Sequence, residues 1–175
     1  MQNYPKAAEG LKLMFIAEIL TILAFIPIVG AILAIVGLVL TLVGLHKAGA
    51  DDQGYKTAFT ISIISLVVGL LGLFGDTMAT IAGIISSILA LAVVYYVVNA
   101  TNGLLANAGD TELPEKGRKV WKLYLICTVA SVIITLLTLI IPVAGAVLAV
   151  VAAIVEIVAY ILYLIYLNKA SKALA

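Results

Sequence analysis

Two glutamic acids, Glu18 and Glu156, are the charged side chains that lie deep within long apolar runs of the sequence. A charged group at the centre of a bilayer costs about 3 kcal/mol on insertion scales, so such residues usually mark a functional position. Two neighbouring carboxyl groups cannot both ionise easily, and one of them would hold a proton near neutral pH. Such a pair would suit a proton relay or a cation site. Alternatively, each glutamic acid is protonated and joins helices through hydrogen bonds.

Hydroxyl groups at helical spacing could serve these carboxyl groups as hydrogen-bond donors. Tyr160 and Tyr163 follow Glu156 on the same face of its helix. If the helices close into a ring, the first and last helices become neighbours, and Glu18 can meet Glu156. The candidate ion, proton or interhelical site therefore comprises Glu18, Thr21, Thr128, Ser131, Glu156 and Tyr160.

The composition is that of a membrane protein. Of the 175 residues, 65% are hydrophobic and 11% are charged, and the mean hydropathy is +1.26. A soluble domain carries about 25% charged residues, so a soluble fold of this size could not bury so much apolar surface. The lipid bilayer is the expected surrounding. A net charge of +1, without clusters of basic and aromatic residues, argues against nucleic acid as a partner.

Apolar runs of membrane-spanning length predict an all-α, polytopic integral membrane protein with six transmembrane helices. A single helix from Leu11 to Leu45 would be about 50 Å long, which exceeds the hydrocarbon core. Pro27 and Gly30 also mark a break within it. The chain, 1–175, is then one transmembrane domain of three helical hairpins, 11–45, 57–98 and 120–167, joined by loops 46–56 and 99–119. The predicted spans are 11–26, 28–45, 57–74, 77–98, 120–141 and 143–167.

The distribution of basic residues predicts the orientation in the membrane. All 10 lysines and arginines fall on the side that holds both termini and the two longer loops. By the positive-inside rule, the N- and C-termini face the cytoplasm, and we expect the plasma (inner) membrane. Aromatic residues near the same interface fit an aromatic belt. They are Tyr55, Tyr95, Tyr96, Trp121, Tyr124, Tyr163 and Tyr166.

Small residues repeat along the second helix of each predicted hairpin at positions i, i+4 and i+7. This pattern predicts three copies of one hairpin, parallel to one another and related about the membrane normal. Because lipid offers no hydrophobic force between helices, small residues serve to let helix backbones come close. The stripes are either packing seams of a closed bundle or the wall of a narrow polar pathway. They comprise Gly30, Ala34 and Gly37; Gly83, Ser87 and Ala90; and Gly145, Ala149 and Ala152.

Catalytic motifs are absent from the sequence, which contains no G-x-S-x-G, no H-E-x-x-H and no glycine-rich phosphate loop. The single cysteine, Cys127, lies in an apolar run and excludes an intramolecular disulfide. His46, the one histidine, lies at a predicted helix C-terminus, where a positive charge is favourable. We therefore expect no enzymatic activity, no cofactor and no metal site.

Two functions of different classes remain. In the first, the bundle transports or conducts a small ion or solute through an interior marked by Glu18 and Glu156. In the second, the chain is a non-catalytic structural or accessory subunit whose small-residue faces dock onto other membrane proteins. Transport requires water inside the bundle, whereas a subunit does not. Besides the lipid bilayer, the expected partners are further copies of the chain or another membrane protein.

Overall fold

The computed structural model describes residues 3–23, 26 and 29–175. Pro27, which is predicted to break the first apolar run, lies outside this part of the chain. Within it every regular element is helical, so the all-α prediction is confirmed. A 3-10 turn, Gly72–Phe74, follows the third helix. The α-helices are α1 (Pro5–Leu23), α2 (Gly30–Ala48), α3 (Gln53–Leu71), α4 (Asp76–Asn107), α5 (Glu112–Ile140) and α6 (Pro142–Ala173).

Five of the described helices, α2 to α6, are long and apolar enough to cross a membrane. The chain is therefore a helical membrane protein. α1 is not among the five, because its 19 residues include the charged side chains Lys6, Glu9, Lys12 and Glu18. The first three of these lie in the half of α1 nearer the N-terminus, so Glu18 is the charge that enters the apolar part of this helix.

The helices extend beyond the predicted spans at the end of the bundle that holds the termini. Residues 108–111 alone separate α4 from α5, in place of the loop predicted at 99–119. Pro114 and Gly117, both within the loop predicted at 99–119, lie in the first two turns of α5. Proline is tolerated there because the first N–H groups of a helix have no partner within it.

The six helices form a closed ring. Each helix packs against its neighbours in the chain, and α1 packs against α6. The chain ends meet where the ring closes, since the backbone N–H of Tyr4 donates a hydrogen bond to the carbonyl oxygen of Leu174 (3.0 Å). Nearby, the N–H of Ala7 donates to the Asp51 carboxylate beyond the end of α2 (2.6 Å). The first and last helices are therefore neighbours.

α1 and α2 approach each other at glycines. A Cβ atom on Gly10 would lie 2.4 Å from the carbonyl oxygen of Gly44, and one on Gly44 would lie 2.6 Å from that of Gly10. Farther along α2, a Cβ atom on Gly37 would lie 3.0 Å from the carbonyl oxygen of Ala17. Gly30, Gly37 and Gly44 are all buried at a spacing of seven residues. Glycine is required at Gly10 and Gly44, because the two backbones touch there.

The two ends of the ring are packed differently. Around the termini, buried side chains from all six helices form one hydrophobic core. At the other end large aliphatic side chains are exposed, among them Leu73 (81%) and Val143 (79%). We call the end with the termini the closed half and the other end the open half. The core of the closed half includes Ala7, Leu11, Leu45, Tyr55, Ala58, Val97, Leu105, Val120, Leu167 and Ala170.

Candidate functional site

A cavity of about 660 Å³ lies at the centre of the ring, and all six helices contribute to its wall. It begins at the edge of the closed half and extends into the open half as far as Ala34 and Leu70. Leu70 is itself 60% exposed, so the cavity has its mouth at this end. The wall comprises Met14, Glu18, Thr21, Ala34, Leu38, Thr41, Leu42, Ser62, Ser65, Leu66, Gly69, Leu70, Ala90, Val93, Val94, Tyr124, Tyr160 and Tyr163.

Glu18 is the one charged residue in this wall, and α6 holds its side chain in place. The hydroxyl group of Tyr160 donates to the Glu18 carboxylate and also approaches the Glu18 carbonyl oxygen at 2.9 Å. The contact therefore links α1 to α6 where the ring closes and fixes the carboxylate at the cavity wall.

Glu156 has a different partner. Its carboxylate accepts a hydrogen bond from the hydroxyl group of Ser131 on α5, and its side chain is exposed. It lies four residues before Tyr160, on the same face of α6 and one turn nearer the open half. Each glutamic acid thus has its own hydroxyl donor, and within the described residues no hydrogen bond joins the two carboxyl groups directly.

Hydroxyl groups supply most of the remaining polarity of the wall. Thr21 donates to the carbonyl oxygen of Ala17 (3.1 Å), and Ser62 donates to that of Ala58 (2.9 Å). These bonds use the hydroxyl proton but leave lone pairs on the hydroxyl oxygen free to accept. The wall is therefore apolar apart from one carboxyl group and scattered hydroxyl groups, of which those of Thr21 and Ser62 can still accept hydrogen bonds.

Aromatic rings form the inner end of the cavity. Tyr124 and Tyr163 pack edge to face, with ring centroids 5.5 Å apart. Deeper in the closed half, the buried hydroxyl groups of Tyr55 and Thr101 form a hydrogen bond (2.7 Å), and Thr101 donates to the carbonyl oxygen of Val97 (2.6 Å). These side chains fill the ring beyond the cavity, so the cavity does not continue through the closed half.

Of the predicted packing residues, some lie at close helix contacts. Gly30, Gly37 and Gly145 are buried. A Cβ atom on Gly145 would lie 2.2 Å from the hydroxyl oxygen of Thr138, so α5 and α6 touch next to the turn that joins them. At these positions the small residue allows close approach of two helices.

The other predicted packing residues border open space. Ala34 and Ala90 line the central cavity, whereas Gly83 and Ser87 line a smaller cavity of about 300 Å³ between α4 and α5. Nothing lies within 4 Å of a Cβ atom built on Gly83. Ser131 also borders the smaller cavity. Ala149 is exposed, while Ala152 and Thr128 are half-buried.

Two features of the site region were missed by the sequence argument. Tyr124 lies seven residues before Ser131 and thus on the same helical face, which could have placed it in the interior instead of in an aromatic belt. The contact between Gly10 and Gly44 needs the pairing of α1 with α2 to be known. The seven-residue spacing from Gly37 to Gly44 could have indicated that Gly44 lies on the same packed face of α2.

An ion pair at the surface of the closed half fastens α1 to α2. The Lys47 ammonium group donates a hydrogen bond to the Glu9 carboxylate. This hydrogen bond, together with the positive charge, lowers the pKa of the Glu9 carboxyl group below its usual value. Solvent screens such a pair, so its contribution to stability is small.

Metal ligands do not cluster in the part of the chain that the structure describes, where no three His, Cys, Asp or Glu side chains could hold one ion. His46 packs against Phe59, with ring centroids 5.8 Å apart. Comparison with known protein families, with curated proteins and with solved structures gives no match. Fold and site define a helical membrane protein with an internal cavity, and its function has to be inferred from that cavity.

Proposed function

We propose that the chain is a membrane transport protein that carries a small ion or solute through the ring of helices. The observation that supports this most is the central cavity, because all six helices line it and it contains the Glu18 carboxylate. Its volume of about 660 Å³ lies in the range of roughly 300–1,000 Å³ that small-molecule sites occupy. A purely structural bundle would gain stability by filling this space with side chains.

The shape of the cavity favours a transporter over a channel. A solute could enter from the open half, but it would meet the core of the closed half beyond Tyr163. Passage would require the closed half to separate while the mouth narrows, as in alternating access. We propose α1–α2, α3–α4 and α5–α6 as the moving units, three parallel copies of one hairpin, because contacts within these pairs are more extensive than contacts between them.

The proposed orientation follows from the basic residues. With six spans and both termini in the cytoplasm of a cell bounded by the plasma (inner) membrane, the closed half faces inward. The mouth of the cavity would then face the opposite side of the membrane. The structure would correspond to the state that exchanges solute with that side.

Thiol labelling tests whether the cavity holds water. In a Cys127→Ala background, single cysteines replace Thr41 or Ser65 in the cavity wall, Val67 on the outer surface of α3, or Ala58 in the closed half. A membrane-impermeant thiol reagent, applied from each side in turn, is expected to label T41C and S65C from the open half. V67C, which faces lipid, and A58C, which is buried, should stay unlabelled. A cavity wall that never reacts would contradict the proposal.

A structural or accessory subunit is the second candidate function. Its support is the smaller cavity between α4 and α5, where Gly83 and Ser87 leave room for a side chain of another helix. The expected result for this function is a dry central cavity, together with oxidative cross-linking of a Gly83→Cys variant to a second protein or a second copy in native membranes. Labelled T41C and S65C variants without such a cross-link would support transport.

A further inference from the structure

The central cavity contains one carboxyl group, that of Glu18, and the described residues of its wall include no lysine, arginine or histidine. In its ionised form this carboxyl group gives the pocket a negative potential, which low-dielectric walls intensify, and a bound cation favours that form. An anionic solute would find no cationic partner there. The charge of the wall therefore favours a ligand that carries one positive charge.

The ligands available in the wall argue against a bare metal ion. Ca²⁺ takes about six to eight oxygen ligands and Mg²⁺ about six in near-ideal geometry, several of them commonly carboxylates. Here one carboxylate is surrounded mainly by aliphatic side chains, such as Met14, Leu38, Leu66 and Val93. Such walls bind apolar surface well and replace the hydration shell of a small ion poorly.

Three tyrosine side chains in the wall also favour a cation as the ligand. Tyr160 already uses its hydroxyl group to hold Glu18, and Tyr124 and Tyr163 lie in the same wall, packed edge to face. The face of an aromatic ring attracts a cation within about 6 Å, and the attraction is larger when water is excluded. A carboxylate with three tyrosines beside it is a combination suited to a cation whose charge is spread over an organic body.

We infer that the cavity binds a lipophilic organic monocation, with its charge near Glu18 and its apolar body against the aliphatic wall toward the mouth. This inference rests on the proposed transport function and names its substrate class. The volume of about 660 Å³ accommodates a molecule of drug size, with space left for water. Glu18 supplies the charge preference, while Tyr160 is a positioning residue that orients the carboxylate.

The test uses two probes of the same shape and opposite charge. The full-length protein is placed in lipid nanodiscs, and equilibrium binding of radiolabelled tetraphenylphosphonium is compared with that of tetraphenylborate. Empty nanodiscs correct for partition into lipid. We expect saturable binding of the cation, with an affinity at least tenfold higher than that of the anion. Equal binding of both probes, or no saturable binding of the cation, would overturn the inference without any variant.

Two glutamine variants test whether the Glu18 carboxyl group is responsible for the preference for a cation. Glu18→Gln is expected to weaken tetraphenylphosphonium binding at least tenfold, whereas Glu115→Gln, which removes an exposed carboxylate on α5, should leave it unchanged. Circular dichroism and gel filtration check that both variants keep their fold. If Glu18→Gln does not fold, a Ser65→Trp variant is tested in its place. Its indole ring fills part of the cavity, and we expect it to abolish binding of the cation. Cation binding that persists after either change overturns the inference.

Thiol labelling and probe binding together distinguish an error in the substrate class from an error in the transport function. If the T41C and S65C variants label but neutral triphenylphosphine oxide binds as well as the cation, the cavity is a solute site without a preference for positive charge. If those cysteines stay unlabelled and no probe binds, both the substrate class and the transport function are wrong.

Discussion

At the scale of single residues, Glu18 and Glu156 show how one type of side chain acquires two roles. Glu18 borders the central cavity and is held by the phenol of Tyr160, whereas Glu156 is bonded to Ser131 and is absent from the wall of that cavity. An interhelical hydrogen bond suffices to explain Glu156. Glu18 also borders the central cavity, and this position is the basis of the proposed ligand site.

The hydrogen bond from Tyr160 to Glu18 can be removed with little change in volume. Tyr160→Phe should lower the free energy of unfolding by about 1 kcal/mol, the size expected for an interhelical hydrogen bond in a membrane protein. It should also weaken binding of tetraphenylphosphonium several-fold, since the carboxylate loses its orientation. Unfolding in mixed micelles and equilibrium binding measure the two effects.

Tyr163→Phe is the control for the stability measurement alone, since Tyr163 also lines the cavity; the structure shows no hydrogen bond of its hydroxyl group to another described residue. A similar loss of stability in both variants would indicate that the phenol of Tyr160 does not hold Glu18.

The ion pair between Glu9 and Lys47 gives a prediction about pH. The pKa of Glu9 is lower in the folded protein than in the unfolded chain, so the pair stabilises the fold above the unfolded-state pKa. This small contribution is lost as the pH falls through the folded-state pKa. Carboxyl-carbon NMR is expected to show a lowered Glu9 midpoint that rises in Lys47→Ala. Lys119→Ala, which removes a distant charge, should leave the midpoint in place.

At the scale of helices, the seam between α1 and α2 is defined by contact of two backbones. Gly44→Ala would place a methyl group 2.6 Å from the carbonyl oxygen of Gly10 and 2.9 Å from the Cγ atom of Met14. The helices must separate to admit it, so we expect a loss of about 1–3 kcal/mol in the free energy of unfolding. Denaturation with SDS in mixed micelles measures this loss.

Gly83→Ala is the control for the seam, because a Cβ atom at Gly83 meets nothing within 4 Å. Because alanine has a higher helix propensity than glycine, the free energy of unfolding should be unchanged or slightly raised. If the two alanine variants were equally stable, the close contact of α1 with α2 would be wrong.

The same scale shows what sequence could and could not provide. Apolar runs and their breaks predicted helices of membrane-spanning length, because a bilayer requires long, internally bonded segments. The start of α5 was predicted too late, because Pro114 was assigned to the loop and lies in the first turn of the helix. The sequence does not distinguish a proline in a loop from a proline in the first turn of a helix. The three-hairpin repeat stays a prediction: the first residue of its small-residue stripe is buried at Gly30 and Gly145 but borders open space at Gly83.

At the scale of the whole molecule, the distribution of packing could not be read from the sequence. Aliphatic residues fill the closed half and line the open half alike, so composition does not distinguish a filled ring from a hollow one. The difference lies in the packing of side chains, because all six helices contribute to one buried core in the closed half. The hydrogen bond between Tyr55 and Thr101 and the contact of Gly10 with Gly44 both lie in the closed half. The candidate carboxylates could be named beforehand, but the space beside Glu18 could not.

The hydrogen bond between Tyr4 and Leu174 means that the order of helices in the gene is one of several that could give this ring. A circular permutant, with the old ends joined by a short Gly/Ser linker and new ends between Ala108 and Thr111, would leave every helix beside its present neighbours. It would also keep the basic residues on one side of the membrane. We expect such a chain to insert, fold and bind the same probes, because the contacts between neighbouring helices do not depend on which of them comes first.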